Sequence, residues 1–416
     1  MTKDMTQGSP LKLILAFAVP LMLGSLFQQF YNLADTIIVG RFVGVDALAA
    51  VGSVGGLNYL VLGFVNGIAC GFSIPISWTF GAKDYREMRR YTANTVWLSL
   101  FFAVVLTVVT VALTRAVLVW TNTPDNIIDI ADIYIRTIFW GIPFTLLYNV
   151  TSALMRALGD SKRPLYFLLV ASVLNIGLDL ACIILFNMGV FGAAVATGIS
   201  QLVTCISYFV HFFSKKCTFR LCKFRFDPHL YARILPIGLS DGVTELCTGL
   251  MIFLFNRTVL KCIGTDGVVT YTVIAYVTTI VINLMVGISQ GSQPLVSYHY
   301  GKEDHTGCQK LLRYALTTVC IFAPALFLLV FFFAPQIVRT YLSHAGDELI
   351  AYSIGAFRRY SVSYLLLGFN IVIGGFMTAI ERPVPAICIS VGRGLALQSA
   401  VLLLLAAIFG GDAVWY

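Results

Sequence analysis

The stretch GFSIPISWTFGAKDYREMRRY (Gly71–Tyr91) leaves a long apolar block, turns at GAKD and enters the next block through a basic face. The same design returns 220 positions later as GSQPLVSYHYGKEDHTGCQKLLRY (Gly291–Tyr314), turning at GKED. Other matches fall in the same order, at offsets between 216 and 221. Pro20 corresponds to Pro236, and Gly44 and Asp46 to Gly264 and Asp266. YNVTSALMRALGDSKRP (Tyr148–Pro164) corresponds to FNIVIGGFMTAIERP (Phe369–Pro383), with Asn149 and Asn370 as mates. Each match alone is weak; the ordered set reads as one unit used twice.

The blocks around these turns decide the class. Of 416 residues, 58% are hydrophobic and only 12% charged, against about 25% charged in a soluble domain. The apolar residues gather in uncharged blocks such as Leu13–Ala34, Tyr91–Thr114 and Gly267–Tyr298. About 20 such residues cross the hydrocarbon core as a helix. Lipid admits only helices or closed barrels, and no alternation of barrel type runs through the blocks. Eleven spans are read, over 11–39, 47–78, 90–119, 128–157, 164–187, 190–213, 230–261, 266–294, 311–334, 347–379 and 384–409. The first block is too long for a cleavable signal peptide. The expected organisation is an all-α polytopic membrane protein: an N-terminal lobe (1–213), a cytoplasmic linker (214–229) and a C-terminal lobe (230–416). Six spans return the chain to the same side, so the repeat is parallel, with a pseudo-two-fold axis along the membrane normal. That symmetry places a cavity between the halves and lets them rock about it, which favours a transporter over a channel or a membrane enzyme.

Charge gives the orientation. The net charge of +8 sits on one side: Lys83, Arg86, Arg89, Arg90, Lys162, Arg163, Lys302, Lys310 and Arg313 lie in segments facing the N-terminus, while the opposite loops hold Arg41, Arg115, Lys261 and Arg339. By the positive-inside rule the N-terminus is cytoplasmic, in a multi-pass protein of the cell membrane. The basic balance therefore calls for the lipid bilayer as partner and not for nucleic acid. Ten cysteines include no CxxC, and no histidines fall at metal-ligand spacing. There is no P-loop or HExxH, so neither ATP hydrolysis nor another enzyme activity is indicated, and no cofactor.

Charged groups deep in a span are costly and usually functional. The acids that qualify are Asp35 in span one, Asp179 in span five, and Asp241 and Glu245 in span seven. Asn175 and Asp179 are spaced i, i+4 and share a helix face; Asn32 lies three residues before Asp35. Two carboxylates with an amide and a hydroxyl make an all-oxygen site for a hard cation such as Na⁺, or for one or two protons. The alternative is that each acid is structural, paired with an in-span arginine (Arg136, Arg257, Arg358, Arg359 or Arg393). Asp241 and Glu245 share a face of span seven, where Asp241 is either a coupling or substrate acid or an interfacial one. Gln28, Tyr31, Asn32, Tyr148, Asn149, Asn283, Gln290 and Asn370 are candidates to line the cavity, or to serve as interhelical hydrogen-bond glue. Such a lining suits amphipathic organic cations.

These residues resemble the multidrug and toxic compound extrusion (MATE) family. The resemblance rests on QQFYNLADTIIVGRFVG in span one, ALMRALGDSKRP, LNIGLDLACI, GVFGAAVATGISQ, DGVTELCTGLMIFLFN, GISQGSQPLVSYHYG and AIERPVPA. It implies two six-helix bundles in a V, acting as a monomer and exporting cationic or amphipathic compounds against H⁺ or Na⁺. In the DinF-like branch the coupling site uses an acid in span one, an Asn and an Asp in span five and a Thr in span six, which match Asp35, Asn175, Asp179 and Thr197. Another branch uses an acid in span seven, where Glu245 stands, and an Asp in span ten, for which this chain has no counterpart within the membrane. By the same resemblance a twelfth helix is expected beyond GGDAVWY, leaving the second lobe one helix short. The alternatives are export of an endogenous metabolite or lipid-linked precursor, and a membrane protein that does not transport.

Overall fold

The helices are set by the apolar blocks and stopped by the turns that separate them. The structure is a computed structural model that describes residues 9–121, 123–213, 224–342 and 346–415. The first lobe holds α1 (Pro10–Phe42), α2 (Val45–Phe72), α3 (Ile74–Gly81), α4 (Tyr85–Trp120), α5 (Asp125–Trp140), α6 (Ile142–Ala157), α7 (Lys162–Leu180) and α8 (Gly189–Phe213). The second holds α9 (Pro228–Cys262), α10 (Thr265–Gly301), α11 (His305–Tyr341), α12 (Asp347–Ser361), α13 (Tyr364–Ala379), α14 (Pro383–Val391) and α15 (Gln398–Phe409). Among the described residues, nine helices or collinear helix pairs are long and apolar enough to span. Two bent pairs, α5 with α6 (44°) and α12 with α13 (40°), bring the spans to eleven. Most of the expected linker, residues 214–223, lies outside the described residues.

The duplication is visible in the backbone. Gly44 and Gly264, which begin α2 and α10, have φ of 128° and 93°; Lys83 and Glu303, in the GAKD and GKED turns, have 59° and 60°. Asp84 caps α4 by accepting from the Glu87 N–H, and Asp304 caps α11 by accepting from the Gly307 N–H. Bends recur in the fourth span of each lobe, and π-helical turns in the fifth: Ala181–Leu185 follows Asp179, and Gly392–Leu397 follows α14.

The lobes meet at the end that carries the basic turns. A Cβ on Gly81 would sit 2.0 Å from the Tyr298 carbonyl oxygen, and one on Gly301 would sit 2.0 Å from that of Trp78. Ser77 donates to the Pro294 carbonyl (2.7 Å) and Ser297 to the Ile74 carbonyl (2.9 Å). Every one of these partners is related to its counterpart by 220 positions, so the contact is self-complementary, like the two-fold interface of a homodimer. Further from that end, Gly67 abuts Asp241–Gly242 and Gly287 abuts Met22. The opposite end is open. Gly52, Gly55 and Gly56 on α2 have no atom within 4 Å of an added Cβ, and Asn256 and Arg257 on α9 are exposed. Nearer that end the lobes touch where Trp120 stacks on Phe253, with ring centroids 5.9 Å apart.

Prolines inside spans remove a backbone donor and free the carbonyl four residues earlier. Pro20 frees that of Ala16, which accepts from the Ser161 hydroxyl at 2.9 Å. Pro335 frees that of Phe331, which accepts from Arg358 Nε at 3.1 Å, the guanidinium lying 5.1 Å from the Phe331 ring centroid. One of the in-span arginines thus repairs a helix and does not face an acid. Arg358→Leu is expected to cost ~1–3 kcal/mol by orphaning the carbonyl. Pro335→Ala, which restores the intrahelical bond, should recover part of that loss. Additive melting shifts in the double-mutant cycle would refute the pairing.

Candidate functional site

Four of the sequence-derived residues converge inside the first lobe. Asp35 on α1, Asn175 and Asp179 on α7 are buried, Asp179 completely. Asn175 Nδ2 donates to Thr197 Oγ1 on α8 at 3.3 Å, and the Thr197 hydroxyl donates in turn to the Ala193 carbonyl (3.2 Å). Asp35 and Asp179 lie close enough for their charges to interact. Asp35 Oδ1, Asn175 Oδ1 and both Asp179 carboxylate oxygens are buried without a donor. Buried polar atoms are almost always satisfied, and four convergent acceptors are what a proton or a hard cation satisfies. Among the described residues, no three His, Cys, Asp or Glu side chains come together as a metal site. The oxygens gathered here belong to two carboxylates, an amide and a hydroxyl.

The in-span arginines do not supply the missing partner. Arg136 pairs with Asp132 at 3.0 Å on its own helix, Arg358 bonds the Phe331 carbonyl, and Arg393 reaches the Leu367 carbonyl at 3.5 Å. Two tyrosines frame the acids instead. Tyr31 is hydrogen-bonded to Gln28 and lies within electrostatic reach of both Asp35 and Asp179, as does Tyr134 on α5. Tyr134 was not singled out from the sequence. Its only signal there was a polar-tipped ring on a face otherwise buried by isoleucines, Ile127, Ile128 and Ile138.

The second-lobe acids are held differently. Asp241 Oδ1 accepts from Thr378 at 3.0 Å and Oδ2 from Gln293 at 3.4 Å, so it ties α9 to both α10 and α13. It lies in the body of α9. Glu245, one turn on, packs against α2, with Oε2 3.6 Å from the point a Cβ on Gly63 would occupy. Asp241 is partnered within its lobe, and both acids are pressed onto the other.

The remaining candidates divide. Gln28 and Asn32 are exposed on α1, and Asn149, Asn283 and Gln290 are half-buried. Tyr148 belongs to a ring stack with Tyr208 (5.9 Å), which in turn meets Phe167 (4.6 Å). Asn370 Nδ2 bonds back to the Leu366 carbonyl of its own helix (3.3 Å). The helix registers correct one pairing. The ends of α6 and α13 and the positive-φ residues that follow them, Gly159 and Glu381, are related by 222 positions. Asn149 and Asn370, 221 apart, are therefore one position out of register.

A family model described as MatE matches residues 20–181 and 242–401. The chain is 28% identical over 375 residues to a probable multidrug resistance protein, YoeA, of Bacillus subtilis, covering 87% of this chain and 80% of that one. It is 22% identical over 409 residues to the multidrug export protein MepA of Staphylococcus saprophyticus, covering 97% and 89%. A solved structure described as the outward-facing conformation of a multidrug resistance MATE family transporter superposes with a TM-score of 0.93. That pair is 24% identical, over 100% of this chain and 94% of the other, and the likeness shows a common fold.

Proposed function

The chain belongs to the MatE family of membrane transporters, and from that premise we propose that it exports cationic or amphipathic small molecules by antiport against H⁺ or Na⁺. The observation that carries the reading is the set of orphaned oxygens on Asp35, Asn175 and Asp179. A carboxylate pair kept buried, free of arginine and next to an exposed polar face of α1 is suited to exchange a small cation as the lobes rock. Asp35 and Asp179 would bind the coupling ion, with Asn175 and Thr197 completing the oxygen set. Asp241 and Glu245 would face substrate or report its binding across the lobe interface. With the basic end in the cytoplasm of a cell-membrane protein, the open end of this conformation faces outward. Names of relatives that mention multidrug resistance or multidrug export support the substrate class.

Reconstituted vesicles loaded with ethidium test this, with ΔpH and ΔNa⁺ imposed separately. One of the two gradients is expected to accelerate ethidium movement. A response to neither, with the protein folded and inserted, removes the antiport reading.

A further inference from the structure

The self-complementary contact at the basic end has an addition that the repeat does not explain. Arg233, near the start of α9, donates to Glu381 through both Nε (2.8 Å) and a terminal nitrogen. Its guanidinium then lies over the ring of Trp78, 4.0 Å from the centroid, and a second terminal nitrogen reaches the Tyr91 hydroxyl at 3.3 Å. Arg233 and Glu381 belong to the second lobe; Trp78 and Tyr91 belong to the first. Two more contacts tie α4 to the segment leading into α9: the ion pair of Arg90 with Asp227 at 2.5 Å, and the rings of Trp97 and Phe224, 5.2 Å apart.

Gly71 meets Gly238 as Gly291 meets Ala18, a register of 220 that puts Pro20 and Pro236 one turn out of step; in it the pseudo-two-fold relates Arg233 to Leu13 and Tyr91 to Leu311, both packed in the apolar core. One edge of the closed end is therefore apolar and the other is clamped by charge. Glu381 has an unusual backbone as well. It sits at φ 57°, a left-handed conformation costly to any residue with a Cβ, where Gly159 stands in the first lobe at φ 92°. Burial holds its carboxyl above the usual glutamate range even with Arg233 upon it. A strained, buried carboxylate standing where glycine would be relaxed points to a purpose for its charge.

We infer that Arg233, braced by Glu381 and laid over Trp78 and Tyr91, is the latch that keeps the lobes shut at the basic end. Its release frees that edge first, with the apolar α1/α11 edge as the fulcrum. The stacked guanidinium, forked onto the single oxygen Oε2 of Glu381, suits this role because both contacts are directional and are lost over a short displacement. The inference rests on the rocking-lobe reading of transport.

Spin-label distances in lipid nanodiscs test it, on protein with its reactive native cysteines replaced. One label pair is Arg86→Cys with Thr306→Cys at the basic end; the other is Asp46→Cys with Asp266→Cys at the open end. In Arg233→Ala the population with separated basic-end labels is expected to rise about tenfold while the open-end labels approach one another. Glu381→Gln should do the same to a smaller extent, and Arg233→Lys, which keeps the charge but loses the fork and the stacked plane, should fall between Arg233→Ala and the parent. Unchanged basic-end distances in both Arg233→Ala and Glu381→Gln overturn the inference. So does lengthening at both ends, which marks a loosened fold. If Arg233→Ala does not fold, Glu381→Gln alone decides. Ethidium movement in the same protein separates the two readings. Responsive distances without gradient-driven movement in the parent remove the transport reading and leave the latch; movement with unresponsive distances removes the latch alone.

Discussion

Asp179→Asn is expected to melt at a higher temperature than the parent while losing gradient-driven efflux altogether. Neither carboxylate oxygen of Asp179 has a donor, and the side chain is 0% exposed. An unsatisfied buried polar group costs ~1–3 kcal/mol, and more when charged. The amide removes the charge and keeps the shape, so the fold gains what the ion site loses. The gain should fade as pH falls, because the parent acid then becomes neutral as well. Asp35, slightly more open and with one orphaned oxygen, should show the same trade with a smaller thermal gain. The checks are melting curves across pH in detergent, together with vesicle efflux. A variant that melts lower at every pH, or that still couples to the gradient, sinks the assignment of Asp179 as an ion-binding acid.

Gly81→Ala is the second large effect. Its Cβ would lie 2.0 Å from a main-chain oxygen of the opposite lobe. No flexible side chain can move aside, so the lobes themselves must part. The cost should reach ~3 kcal/mol, the upper end of ordinary overpacking, or about a hundredfold in the balance between closed and separated lobes. Gly301→Ala should behave alike, since the two positions are related by the repeat. Combining them should cost less than twice either alone, because the first substitution has already opened the contact the second would strain. Cross-linking between Arg86→Cys and Thr306→Cys, which needs the ends together, is the readout. Undiminished cross-linking in Gly81→Ala would mean that the contact is not tight.

Much of this was legible in the sequence, because membrane spans are long and the physics of lipid leaves few options. The eleven spans, the duplication and the acids of α1 and α7 were all read from blocks and offsets. The glycines at 67, 71 and 81 recur at 287, 291 and 301, so the inter-lobe contact was also written there. It could be read as generic packing until the backbone showed which oxygens those glycines approach. Arg358 was beyond reach, since its partner is a carbonyl freed by a proline in another span. Tyr134 was too: nothing along α5 distinguishes a ring that faces two carboxylates from one that fills a core. The partnering of Asp241 by Thr378 and Gln293 depends on three helices meeting, which one chain's pattern does not encode.

The three glycines of α2 that touch nothing, Gly52, Gly55 and Gly56, offer a clean instrument. In this conformation alanine at any of them meets no atom and, by helix propensity, steadies the helix by up to ~1 kcal/mol. It cannot hinder the state described here. Any slowing of turnover by alanine at these positions must therefore arise in a different arrangement of the lobes, so that three methyl groups can sense a conformation without its being trapped.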